Sequence, residues 1–223
     1  MSAQAQQRTP LNRERVCRAA ITVADESGLA AVTMRRLAEA LGVEAMSLYH
    51  HVPNKDDVLD GMVDAVAQEI IAAVTPLDPG PDWRASVRRR ILTARQVLLR
   101  HRWAPGLLAA RNPTSMAVMR YHDGLVGLMH DGGLSYDLIH HGLHALGSRA
   151  LGFVQELADT GDTPSDDALE AMAAHLPHLA GMLREVAHDD PESTLGWCDD
   201  QFEFEFGLDL ILDGLDRAAR EQG

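Results

Sequence analysis

Two short helical stretches, separated by a single glycine turn at Gly42, constrain this chain more than any other feature of its sequence. Asn12 is an N-cap: its side chain can accept from the free backbone N–H groups that open a helix, and Gly28 supplies the residue that ends it. Between them Val16, Ala20, Val23 and Ala24 fall on one face. Thr33 is the next N-cap, and Leu37, Ala38 and Leu41 follow at helical spacing before Gly42 closes the second helix after barely two turns. A third short helix, Glu44 to about His51, begins almost at once. Two short helices joined by a glycine-containing turn make a helix-turn-helix, whose second helix lies in the DNA major groove. Leu48 and Val52 anchor that helix, which leaves Ala45, Met46, Ser47, Tyr49 and His51 available for contact.

The charge balance looks wrong for a DNA-binding protein until it is divided. The net charge is −13, from 20 basic and 33 acidic side chains. Residues 1–55 hold seven basic and five acidic residues, a balance of +2, so the remaining 13 basic and 28 acidic residues carry −15. An acidic body repels DNA and leaves the head as its contact surface; it also keeps a cytosolic protein soluble. No run of about 18 apolar residues occurs, which argues against a membrane-spanning helix. The stretch Met1–Arg8 lacks the apolar segment of a secretory signal. Cys17 and Cys198 do not make a disulfide framework. The expectation is a reduced, cytoplasmic protein.

The remainder reads as helix after helix, giving an all-α fold. Asn54 caps a helix that runs to about Thr75, with Asp57 favourably in its first turn. The segment from Pro76 to Pro81 breaks it and marks a boundary. From Trp83 to about Arg100, Val87, Ile91, Ala94 and Leu98 form a stripe. Pro105 and Asn112-Pro113 punctuate the next stretch, Thr114 or Ser115 opens a helix, and Asp131-Gly132-Gly133 ends it. A long helix from about Ser135 to Leu157 contains Gly142, Gly147 and Gly152, each costing about 0.8–1.0 kcal/mol relative to alanine; close packing accounts for most of them. In the last helix, about Asp200 to Arg220, Phe204, Leu208, Ile211, Leu215 and Ala218 form a bundle-type stripe. It suits an intramolecular core or a subunit interface. The predicted organisation is a helix-turn-helix domain over 1–55, a connecting helix over 54–75, and a helical ligand-binding and dimerisation domain over 76–223.

The segment from Val43 to Lys55, with its Leu48-Tyr49-x-His51-Val52 core and the following Asn54-Lys55, closely resembles the TetR family of bacterial transcriptional regulators. Gly147, Leu151, Gly152 and Glu156 are similar to the long eighth helix of the tetracycline repressor, and Phe206–Ile211 with Gly214-Leu215 to its last helix. The resemblance implies a homodimer that binds a palindromic double-stranded operator as a repressor and releases it when a small-molecule effector occupies the core. It implies that Ala45, Met46 and Ser47 at the opening of the third helix lie nearest the bases, that Arg35 at the second reaches a base edge or phosphate, and that Thr33 and Arg36 beside it contact DNA, Arg36 being equally a solvated neighbour. Tyr49, His51 and Lys55 would grip phosphates. It also implies a four-helix dimer interface including Gly147, Phe204, Leu208, Ile211 and Leu215.

Ala45 and Met46 replace a Gln and a Pro of the tetracycline repressor, so an amide able to read adenine is lost. The drug-and-metal site is lost too: its histidine aligns with Leu108, and other polar positions with Ile71, Ala94 and Gly124. What remains points to an apolar or amphipathic organic effector, lined by Trp103, Leu108, Met116, Met119 and Leu143, with Glu156 or His144 as the polar contact. No cofactor is expected.

Two other readings stay open. A small helical enzyme would use the histidines and Glu156 for acid–base chemistry with Ser135 or Ser148 as nucleophile, yet no Gly-x-Ser-x-Gly elbow, phosphate loop or His-Glu-x-x-His motif occurs. A ligand-independent DNA-binding protein fits poorly with the acidic body. His140 and His144, at i and i+4, have metal-competent spacing, but zinc wants three or four ligands, so no metal is assigned.

Overall fold

In the computed structural model, residues 10–77, 79–111, 115–152, 165–186 and 200–222 are described. The chain begins with α1 (Arg13–Ser27), a 3₁₀ turn at Leu29–Ala31, α2 (Met34–Leu41) and α3 (Ala45–Tyr49). Next come α4 (Lys55–Val74), α5 (Trp83–Arg100), α6 (Ala104–Ala110) and α7 (Met116–Asp131). Then follow α8 (Tyr136–Gly152), α9 (Asp166–Ala173), α10 (Pro177–Val186) and α11 (Asp200–Gln222). The all-helical expectation holds among the described residues.

The caps legible in the sequence set most of these boundaries. Asn12 Oδ1 accepts from Arg15 N at 2.8 Å, Thr33 Oγ1 from Arg36 N at 3.2 Å and Asn54 Oδ1 from Asp57 N at 2.9 Å. Gly42 adopts the left-handed conformation at φ 65° that ends α2. Of the two candidates for opening α7, Ser115 takes the cap, accepting from Ala117 N at 3.2 Å.

Compact packing divides the chain into two units, one ending at Gly133 and the other beginning at Leu134. In the first, α4 is the spine. Its buried Val58, Met62, Val66, Ile70 and Val74 recur every turn, and the helix packs against α1, α5, α6 and α7. One apolar cluster therefore runs from Val16 in α1 through Leu48 and Val52 to Ala94, Val97 and Leu107. The turn at 75–76 redirects the chain, and Leu77 beyond it still packs against that cluster. In the second unit α8 packs on α11, and α9 on α10. The buried stripe of α11 is Phe204, Leu208, Leu212 and Leu215, with Ile211 half-buried. Gly142 serves close packing, since a Cβ there would meet Leu215 Cδ1 at 3.0 Å; at Gly147 it would meet nothing within 4 Å.

Candidate nucleic-acid interface

Recognition by a helix-turn-helix needs a rigid second helix with one face sunk and the other bare. The five-residue α3 is too short to be stable by itself. Tertiary anchoring holds it: Leu48 and Val52 are fully buried in the α1–α4 cluster. Val52 N donates to Leu48 O at 2.9 Å, and Pro53 then stops the helix. On the opposite face Met46 is 72% exposed and Tyr49 45% exposed, while Ala45, Ser47 and His51 are half-buried.

The turn into α3 is equally tight. Val43 N donates to Ala38 O at 3.0 Å and Gly42 N to Glu39 O at 3.2 Å. This places the N-terminus of α3 beside the end of α2, whose exposed Arg35 and Arg36 stand near its opening. Arg35 Nε lies 3.1 Å from Glu39 Oε1, an exposed i,i+4 pair of little energetic weight. Thr33 is occupied as the α2 cap, and its side chain is exposed. Arg36 and Lys55 are exposed and have no acidic partner among the described residues.

Two acids next to Lys55 would weaken a basic surface if they were bare. Both are instead neutralised from within. Arg13 Nε pairs with Asp57 at 3.2 Å, and Arg111 Nε and Nη1 reach Asp60 at 2.6 Å and Asp56 at 3.2 Å. The hydrogen bond with Asp57 raises the Arg13 pKa, and that with Asp60 raises Arg111, so both stay charged. These pairs also tie α4 to α1 on one side and to the end of α6 on the other.

A second junction was not foreseen from the sequence. His101, buried at the corner between α5 and α6, places Nδ1 2.9 Å from Asp25 Oδ1 at the end of α1. Its Nε2 stands 3.3 Å from Glu69 Oε2 of α4, where Arg100 Nη2 also approaches at 3.6 Å. Trp103 Nε1 donates to the same Asp25 at 2.6 Å. Head, spine and body are thus cross-linked by polar contacts as well as by apolar packing.

Comparison with known proteins agrees with this geometry. Residues 16–62 match the family described as "Bacterial regulatory proteins, tetR family", and residues 75–219 match "Tetracyclin repressor-like, C-terminal domain". The chain belongs to the TetR family. Among its relatives, an HTH-type transcriptional regulator of Saccharopolyspora erythraea is 40% identical over 101 residues, 45% of this chain and 42% of that protein. The tetracycline repressor protein class C of Escherichia coli is 29% identical over 93% of this chain and 91% of its own length. The crystal structure of the Streptomyces coelicolor TetR family protein ActR in complex with (S)-DNPA superposes with a TM-score of 0.75 at 27% identity, covering 95% of this chain and all of that one. As a member of the TetR family the chain is a DNA-binding transcriptional regulator, which disposes of the enzyme reading. No helix among its described residues is long and apolar enough to cross a membrane.

The other expected sites are spread over both units. Trp103 and Leu108 are half-buried against the first unit's apolar cluster, whereas Met116 and Met119 are exposed on α7. On α8, Leu143 is half-buried and His144 exposed; Glu156 lies outside the described residues. His140 and His144 meet edge to face at 4.7 Å between ring centres. No group of three metal-ligating side chains occurs among the described residues. Of the expected interface residues, Phe204, Leu208 and Leu215 are already buried within one chain, because α8 covers that face of α11. They form an intramolecular seam between α8 and α11. The exposed face of α11 carries Phe202 (62%), Phe206 (54%) and Leu210 (59%), with the two phenylalanine rings stacked at 6.5 Å.

Proposed function

We propose that this regulator is a repressor that binds a palindromic operator as a homodimer and is released by a small apolar or amphipathic organic molecule. The observation that carries the DNA reading is α3, clamped by buried Leu48 and Val52 while Met46 and Tyr49 stand in solvent. Ala45, Met46 and Ser47 read bases, and Arg35 makes a bidentate contact with a guanine. Thr33, Arg36, Tyr49, His51 and Lys55 fix register through phosphates. The functional division is a head over 1–55, a connecting helix over 54–75, and a body over 76–223. The protein works in the cytoplasm, where its operator is.

A twofold dimer presents identical heads to two half-sites about one DNA turn apart. Phe202, Phe206 and Leu210 on the bare face of α11 supply the apolar contact between subunits, Ile211 lies at its edge, and Gly147 gives a close approach on α8. Release follows when an effector binds the DNA-incompetent arrangement more tightly. Leu108, Met116, Met119 and Trp103, all within the first unit, line its site. The Arg111–Asp56/Asp60 pairs and the His101 junction transmit the change, because both join the body to α4. The ActR complex supports a ligand of organic type.

The test is an electrophoretic shift with the DNA upstream of this chain's own gene, repeated in the presence of small-molecule extracts. A shift that an extract reverses supports the reading. A shift that no extract reverses points to a ligand-independent DNA protein, and no shift defeats the operator assignment.

A further inference from the structure

Between α5 and α7, within the first unit, lies a cavity of about 240 Å³ walled by Leu77, Ser86, Arg89, Arg90, Gly124 and Gly127. The sequence offers three consecutive arginines here, Arg88 to Arg90, and successive helical residues point about 100° apart; Arg89 and Arg90 both reach the cavity. Arg90 is the one turned onto α7. Its guanidinium lies close to Gly124, where a Cβ would stand 2.5 Å from Nη2, and its Cζ is 5.9 Å from the Tyr121 ring centre. Arg90 Nε is buried and has no hydrogen-bond partner. No carboxylate pairs with Arg90 among the described residues, although the chain carries 33 acidic side chains.

A buried, charged donor left unsatisfied is costly, and native structures retain one where something else completes it. The two glycines point the same way. Each weakens the α7 interior, yet a Cβ at Gly127 would meet only open space, and at Gly124 it would strike the guanidinium. They keep the cavity open and the cation in it. Tyr121, its hydroxyl pushed well above the usual phenol range by burial, is a neutral ring rather than a counter-ion. Asp131, also on the lining, disfavours a dianion such as phosphate.

We infer that this cavity binds a small organic monoanion, a carboxylate on an apolar body. Its oxygen accepts from Arg90 Nε–H, and its apolar part lies along Leu77 and Leu128. The inference rests on the effector reading above and adds to it an acidic group on the effector, recognised by Arg90 of α5 in a cavity that none of the residues named there lines.

The probes are 2-naphthoate and its neutral isostere 2-naphthamide, titrated calorimetrically into the full-length protein. A charge-assisted hydrogen bond predicts that naphthoate binds about ten- to a hundredfold more tightly than naphthamide. Arg90→Met should abolish that preference without lowering the melting temperature, since it removes an unsatisfied donor. Gly124→Ala keeps the charge but pushes the guanidinium aside, and should weaken naphthoate at least tenfold. Equal binding of the two probes, undiminished naphthoate binding in Arg90→Met, or no naphthoate binding at millimolar concentration would each overturn the inference. The same titrations on protein bound to fluorescent operator separate the two readings. Arg90-dependent naphthoate binding that leaves the operator bound supports the site and removes its effector role. A wild-type protein that binds no operator defeats the proposed function, while the calorimetry still decides the site.

Discussion

Gly61 lies at the crossing of α1 and α4, and replacing it with alanine tests whether this contact positions the head. A Cβ there would stand 2.3 Å from Cys17 Sγ, with the Arg13 guanidinium nitrogens next at 3.3 Å. Ordinary contacts lie at about 3.5–4.0 Å, so the overlap exceeds one ångström. Cys17 is buried, leaving its sulfur little room to turn, and the helices must part. Overpacking of this kind costs about 1–3 kcal/mol, here at the upper end. Removing a glycine from a helix interior returns about 0.8–1.0 kcal/mol, so Gly61→Ala should lose about 2 kcal/mol. In a Cys17→Ala background the clash with sulfur is gone, and the propensity gain is offset only by the small shift asked of the exposed Arg13 guanidinium. The same substitution should then stabilise. Urea unfolding of the four proteins, followed by far-ultraviolet circular dichroism, gives the double-mutant cycle, and operator affinity should fall with Gly61→Ala and recover in the double variant. An equal cost in both backgrounds, or no cost in the parent, would refute the reasoning.

Three further outcomes follow from the same geometry. Leu48→Ala should destabilise by about 2–5 kcal/mol and abolish operator binding, whereas Met46→Ala should stay within about 0.5 kcal/mol of the parent but change base preference in a selection experiment. Lys55→Ala should weaken binding to all sequences alike and flatten the salt dependence by about one unit of slope, read from titrations at several salt concentrations. Phe206→Asp should give folded monomers by sedimentation, while Phe204→Asp should unfold the α8–α11 seam and lower the helical signal.

Helix caps and glycines made much of the fold legible in advance. Asn12, Thr33 and Asn54 fixed helix starts because each is a strong local signal acting within three residues. The short α6 was not foreseen, since Pro105 and Gly106 read as punctuation; proline in a first turn is compatible with a helix. Neither α9 nor α10 was foreseen, although both are amphipathic; they are short, of eight and ten residues. Periodicity found the stripe on α11 but not its partner. Phe204 and Phe202 are equally apolar, and only tertiary packing decides which meets α8 and which meets solvent. The same limit applies to Arg90 among three arginines and to His101 among eleven histidines. Nothing local distinguishes a side chain that bridges Asp25 and Glu69, elements 76 and 32 residues away in sequence.

The central claim is that α2 and α3 form the operator-reading surface of a twofold dimer. The most direct measurement is fluorescence anisotropy with a labelled duplex from the upstream region, at fixed salt, comparing the parent with Arg35→Ala and Tyr49→Ala. Two protomers should bind each duplex. Both variants should bind more weakly with unchanged melting temperatures, and Arg35→Ala should also lose about 1–3 kcal/mol of discrimination at one base pair. Unchanged binding in both variants would contradict the account.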